Sequence, residues 1–143
     1  MSKNIVVKAN ILIEASYKLD LVEMRLILLA IIEARESKTL IDANSLIKIS
    51  AKKYAEMFDI SLKNSYSMLR GACKTLFDRQ FSYVDWDFDL LSEDTSKIFF
   101  TSRWVSKVGY KPGFVYLSFA PDVIPLISRL EKEFTRYDLL QIS

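Results

Sequence analysis

The chain has 143 residues, half of them hydrophobic, with a formal charge of +2, one cysteine and no histidine. This length suits a single domain with a substantial core. One cysteine excludes an internal disulfide or a cysteine metal cluster, and the lack of histidine excludes a histidine-based triad or imidazole acid–base pair.

The near-neutral charge means that any nucleic-acid partner must be met by positive charge concentrated locally. Three glycines and three prolines argue against low complexity, and no repeat at solenoid or propeller spacing is found. The opening MSKNIVVKAN lacks the apolar core of a signal peptide. The longest apolar run, Leu26 to Ile32, is too short to cross a bilayer. A reducing, cytoplasmic setting fits the cysteine usage.

In chain order, Asn10 to Ser16 reads as a short helix. Asp20 followed by Glu23 makes a capping-box pair that opens a helix from Leu21 to about Glu36. Its segment LILLAII is apolar on every side, whereas a helix on one core needs only a stripe. Such a helix is either sandwiched centrally or gives half its surface to a partner chain. Ser45 to Ile49 is a short strand, and Ser50 caps a helix from Ala51 to Phe58. Asp59-Ile60-Ser61 is a turn, with Ser61 capping the next helix, which runs to about Gln80.

Period-two patterns then take over. In Ser82 to Leu90, Val84, Trp86, Phe88 and Leu90 share one face, and Asp85, Asp87 and Asp89 the other. Lys97 to Val108 reads as one long strand, with Ile98, Phe100 and Trp104 opposite Phe99, Thr101, Arg103, Val105 and Lys107. GYKPG, Gly109 to Gly113, reads as a five-residue turn, and Phe114 to Phe119 returns as a third strand. A helix starts around Pro121 and Pro125 and reaches Leu130 or beyond, and FTRYDLLQIS opens another. This order predicts an α+β fold of the winged-helix type: a helix-turn-helix followed by a long antiparallel β-hairpin wing.

The helix after Ser61 carries the functional signal. At about 100° per residue, Leu62, Tyr66, Leu69, Cys73, Leu76 and Phe77 fall on one flank. Lys63, Ser67, Arg70 and Lys74 form a single stripe on the next, with Asn64, Gly71 and Asp78 beside them. The second helix of a helix-turn-helix lays such a stripe into the major groove. There lysine and arginine reach phosphates or guanine edges, and asparagine reads adenine. Gly71 costs about 1 kcal/mol against alanine and leaves room for a phosphate backbone. A solvated face of mixed charge is the plainer account of the same stripe, and Asp59 and Asp78 reduce its field. On the wing, Arg103, Lys107 and Lys111 are candidates for phosphate contact, or serve solubility.

The acids Asp85, Asp87 and Asp89 lie about 7 Å apart on an extended strand, too spread for one small cation. Cross-strand pairing with Arg103 or Lys107 is the simpler expectation. That face is expected to turn away from DNA. Cys73 sits on the buried flank, where thiols are inert, and no glycine-rich phosphate loop occurs. Nothing points to an enzyme, a cofactor or a metal.

Several stretches carry a resemblance: Val6-Val7-Lys8-Ala9-Asn10, Leu12-Ile13-Glu14-Ala15, Leu19 and Glu23-Met24-Arg25 before LILLAII, and VYLSFAPDVIPLISRLEKEFTRYDLL from Val115 to Leu140. In order and spacing they resemble plasmid replication initiator (Rep) proteins of the RepA/RepE type, over nearly the whole chain. Met24 departs from the glutamine often found there.

The resemblance implies two winged-helix domains that bind repeated origin sites (iterons), as monomers to initiate and as dimers to repress transcription. It implies that residues 1–143 form the first domain, the main dimerisation module with accessory DNA contacts, and that the second domain is absent. A two-fold dimer would then bury one flank of Leu21 to Ile32 and join hairpin edges. Expected partners are double-stranded origin DNA, a second copy and host replication proteins, with no membrane. Two other readings stay open: a dimerisation module without DNA affinity of its own, and a winged-helix transcription regulator.

Overall fold

The computed structural model describes backbone at residues 2–38, 40–89 and 94–136, and side chains within 8–38, 40–85 and 96–134. Helix α1 spans Ser2–Ser16, longer than the Asn10–Ser16 expected, with Ala9 and Leu12 in the core. Helix α2, Leu21–Glu36, begins as the sequence predicts. Asp20 accepts from the Glu23 backbone N–H at 2.8 Å, and the Glu23 carboxylate accepts from the Asp20 N–H at 2.8 Å.

Leu26 to Ile31 are all at most 2% exposed within the chain itself. Helix α2 is therefore the central, sandwiched helix, packed by the helix that follows Ser61, the first strand and the last helix. This accounts for its all-round apolarity and corrects the expected dimer contact: Leu26–Ile31 offer no flank to a partner.

Strand β1, Ile47–Ser50, starts two residues later than expected. Ser50 caps α3, Ala51–Phe58, its Oγ accepting from the Lys53 N–H at 3.2 Å. Asp59 closes α3 in the left-handed region (φ 53°), so that the Ile60 N–H reaches the Ala55 carbonyl at 3.1 Å. Ser61 then caps α4, Leu62–Asp78, accepting from the Asn64 N–H at 3.2 Å. Arg25, 3% exposed, braces α3 on α2: it donates to the Tyr54 hydroxyl at 3.3 Å and lies 4.2 Å from the centre of the Phe58 ring. Lys53 adds ion pairs to Glu33 and Glu36.

The expected long strand Lys97–Val108 is two strands in two sheets. Strands β2 (Gln80–Asp89) and β3 (Asp94–Arg103) form an antiparallel pair, while β4 (Val105–Lys111) and β5 (Phe114–Phe119) join β1 in the order β1-β5-β4. The chain bends at Trp104, which is 1% exposed and accepts from the Ala120 N–H at 3.0 Å. Trp104 and Val105 are both buried, breaking the two-residue alternation. The expected five-residue turn is also shorter. Gly109, Tyr110 and Lys111 pair with Tyr116, Val115 and Phe114, leaving Pro112 and Gly113 as the turn. Pro112 supplies the restricted negative φ and Gly113 the positive one, at 84°.

Two further expectations change. Asp85 pairs with Lys8 at 3.3 Å rather than with Arg103 or Lys107, because Arg103 lies opposite Gln80 and Lys107 belongs to the other sheet. The side chains of Trp86, Asp87, Phe88 and Asp89, and all of Leu90, lie outside the described residues. A 3₁₀ turn at Ile124–Leu126 leads into α5, Ile127–Arg136. Phe134 belongs to α5, not to a new helix, and residues 137–143 lie outside the description. The helix-turn-helix α3–α4 with the β4–β5 hairpin beside it makes this a winged-helix fold. Among the described residues no helix is long and apolar enough to cross a membrane.

Candidate nucleic-acid interface

Helix α4 buries Ser65, Leu69, Ala72, Cys73 and Leu76. The apolar flank read from the sequence is therefore rotated: small Ser65 and Ala72 face inward, Leu62 is 57% exposed, and Tyr66 and Phe77 sit at the margin. Small residues suit those positions because they let α4 pack closely on its neighbours. Burial pushes the Cys73 thiol up to about 12, so it stays protonated and unreactive.

The rotation leaves the polar stripe facing solvent. Lys63, Asn64, Ser67, Arg70 and Lys74 are all exposed, as is Gly71 between them. A Cβ built on Gly71 meets nothing within 4 Å, so the helix backbone there borders open space. Among the described residues, Lys63, Arg70 and Lys74 have no carboxylate partner.

Arg70 is held from the side. Its guanidinium carbon lies 4.8 Å from the ring centre of Tyr110 on β4 and 5.8 Å from that of Tyr66 one turn earlier. Such stacking contributes about 0.5–1 kcal/mol at an exposed site. It orients the fork while leaving its donors available for a phosphate or a guanine edge. Burial above all, and then Cys73, hold the Tyr110 phenol above its usual range, against the opposing pull of Arg70, so the ring is neutral near pH 7.

At the far end of α4, Arg79 and Glu23 form a two-point pair, Nη2 to Oε1 at 3.0 Å and Nε to Oε2 at 3.1 Å. Glu23 is fully buried. The pair ties the end of α4 to the start of α2.

The other three candidates do not join this surface. Arg103 ends β3 rather than lying on the wing; it donates to the Phe77 carbonyl at 3.1 Å and stacks on the Phe77 ring at 5.0 Å, closing the end of α4. Lys107 and Lys111 lie on β4, but their register partners are Ser118 and Phe114, on the sheet face opposite the one packed on the helices. Sequence reading missed Tyr110, assigned to a turn, and Lys48, whose strand was read for its apolar residues. The alternation of β1 around Ile47 and Ile49 carried the only signal for Lys48.

The family model described as "Initiator Replication protein, WH1" matches residues 5–143. The crystal structure of the MSBI1.176 WH1 domain, a replication protein isolated from a multiple sclerosis patient, is 47% identical, with a TM-score of 0.81 over 91% of this chain and 96% of that one.

Proposed function

The chain belongs to the initiator replication protein family through its WH1 domain, and on that premise we propose that it is the first domain of a plasmid initiator that binds duplex origin repeats with α4. In this reading it is a binding domain rather than an enzyme, and it works in the cytoplasm. Lys63, Ser67, Arg70 and Lys74 enter the major groove, with Asn64 beside them. Arg103 serves to fasten the end of α4. The observation that supports this most directly is the solvent-facing cationic stripe on the second helix of a helix-turn-helix, without carboxylate partners among the described residues.

Fluorescence anisotropy of labelled origin-repeat duplex across a salt series tests it. Three engaged cations predict a slope of log affinity against log salt of about −3. The triple variant Lys63→Ala, Arg70→Ala, Lys74→Ala should flatten that slope. Unchanged binding by the variant removes α4 from the interface.

A second reading, self-association, has its own observation. On the β2–β3 pair, Val84 and Phe99 are directly opposed and are 42% and 77% exposed. We assign the dimer contact to this face and not to α2. Sedimentation should show Phe99→Lys shifting the chain to monomer while duplex binding by α4 persists.

A further inference from the structure

The outer face of the wing sheet combines cations with aromatic rings. Register places Lys48 and Ser50 of β1, Phe114, Tyr116 and Ser118 of β5, and Lys107, Gly109 and Lys111 of β4 on this one face. These positions carry three lysines and no carboxylate. The opposite face holds Ile47, Ile49, Val115 and Leu117, all at most 6% exposed, and is the core side. It also carries Tyr110, on which Arg70 stacks. The α4 stripe therefore borders the core side of the sheet, and the three lysines lie on its other side.

The rings and cations are interleaved. The Lys48 Nζ lies 4.2 Å from the Phe114 ring centre, and the Lys111 Nζ lies 5.2 Å from Phe114 and 6.0 Å from Tyr116. Gly109, opposite Tyr116, adds no side chain over that ring; a Cβ there would sit 3.7 Å from the Tyr116 Cβ. Among the described residues, Lys48, Lys107 and Lys111 have no ion-pair partner, although all three are exposed.

From this arrangement we infer that the outer wing face binds single-stranded DNA, with bases stacking on Tyr116 and Phe114 and the phosphates running past Lys48, Lys107 and Lys111. Aromatic rings on a sheet, bordered by cations without acids, match the two needs of an unpaired strand: a flat surface for each base and positive charge along the backbone. A duplex keeps its bases stacked and cannot use the rings. An acidic peptide would use the lysines but would not require the rings. Occupancy turns the lysine ammoniums from ring to phosphate, exchanging a weak contact for a charge-assisted one.

The test uses labelled dT20, an abasic 20-mer of equal charge, rU20 and a repeat-containing duplex, each by anisotropy at several salt concentrations. Expected is binding of dT20 with a salt slope of about −2, since three phosphates are neutralised on a single strand. Tyr116→Ala should weaken dT20 by about tenfold, and the charge-only variant Lys48→Gln, Lys111→Gln should flatten its slope by more than half. Both should leave duplex binding unchanged, while the α4 triple variant should do the reverse. Circular dichroism melting confirms that each variant is folded; the double glutamine variant changes only exposed side chains and leaves both rings in place, which keeps the test decisive if Tyr116→Ala unfolds. Absence of dT20 binding, equal affinity for the abasic strand, or loss of dT20 binding in the α4 variant alone overturns the inference. Tighter binding of rU20 than of dT20 overturns the assignment to DNA.

Discussion

Removing Arg79 should cost more stability than removing Glu23, although they are partners in one ion pair. The carboxylate of Glu23 is 0% exposed, while the Arg79 side chain is 40% exposed. Arg79→Ala leaves a buried carboxylate whose remaining described bond is the Asp20 N–H at 2.8 Å. Breaking a buried pair this way costs 3–5 kcal/mol, and the surviving cap bond puts the expected loss near the lower end, about 3 kcal/mol. Glu23→Ala instead frees an arginine that is already half in water, so its loss is chiefly the reciprocal cap and the solvent-screened pair, about 1.5–2 kcal/mol. The double variant should cost less than the sum, with a coupling of about 1–2 kcal/mol. Urea unfolding followed by fluorescence of buried Trp104 and by far-ultraviolet circular dichroism measures all three. Equal losses, a larger loss for Glu23→Ala, or strict additivity refutes the argument that burial asymmetry governs this pair.

Leu69→Ala, at a fully buried site where α4 meets the core, should cost about 2–5 kcal/mol in the same urea assay. Gly71→Ala should raise stability by about 1 kcal/mol, because its methyl group meets open space, and should weaken duplex binding measured by anisotropy if a phosphate backbone approaches there. The folded-state Cys73 thiol titrates near 12 against an ordinary 9.0, so between those values the native state holds a proton that the unfolded chain has released. Stability therefore falls as pH rises through this window, and Cys73→Ala should lessen the decline of the melting temperature between pH 9 and 11. In native protein at pH 8, Cys73 should react with a thiol reagent only as fast as the chain opens.

The parts of the fold that were legible in the sequence are those decided within a few residues. Asp20 with Glu23, Ser50 and Ser61 mark helix starts because the side chains of Asp20, Ser50 and Ser61 bond backbone donors three residues on. The exposed stripe of α4 was also legible, since four polar residues at helical spacing share a direction in any setting. Strand partnership was not. The alternation through Lys97–Val108 says which residues share a face, but not that the chain leaves one sheet and enters another at Trp104. The burial of Ser65 and Ala72 was hidden for a related reason: a hydrophobic pattern registers large side chains and overlooks small ones chosen for close approach. The side of the sheet that carries Lys107 and Lys111 was not legible either, because which side of a sheet rests on the helices is a property of the assembled layers.

The Ala51 N–H donates to the Gly113 carbonyl at 3.0 Å, joining the first residue of α3 to the turn at the tip of the wing. The helix-turn-helix and the wing beside it are thus set in a common frame in the chain by itself. A partner that meets both spends little on ordering them, and more of the contact energy survives as affinity. Loosening that frame would be felt first as faster dissociation, with the contacts themselves unchanged.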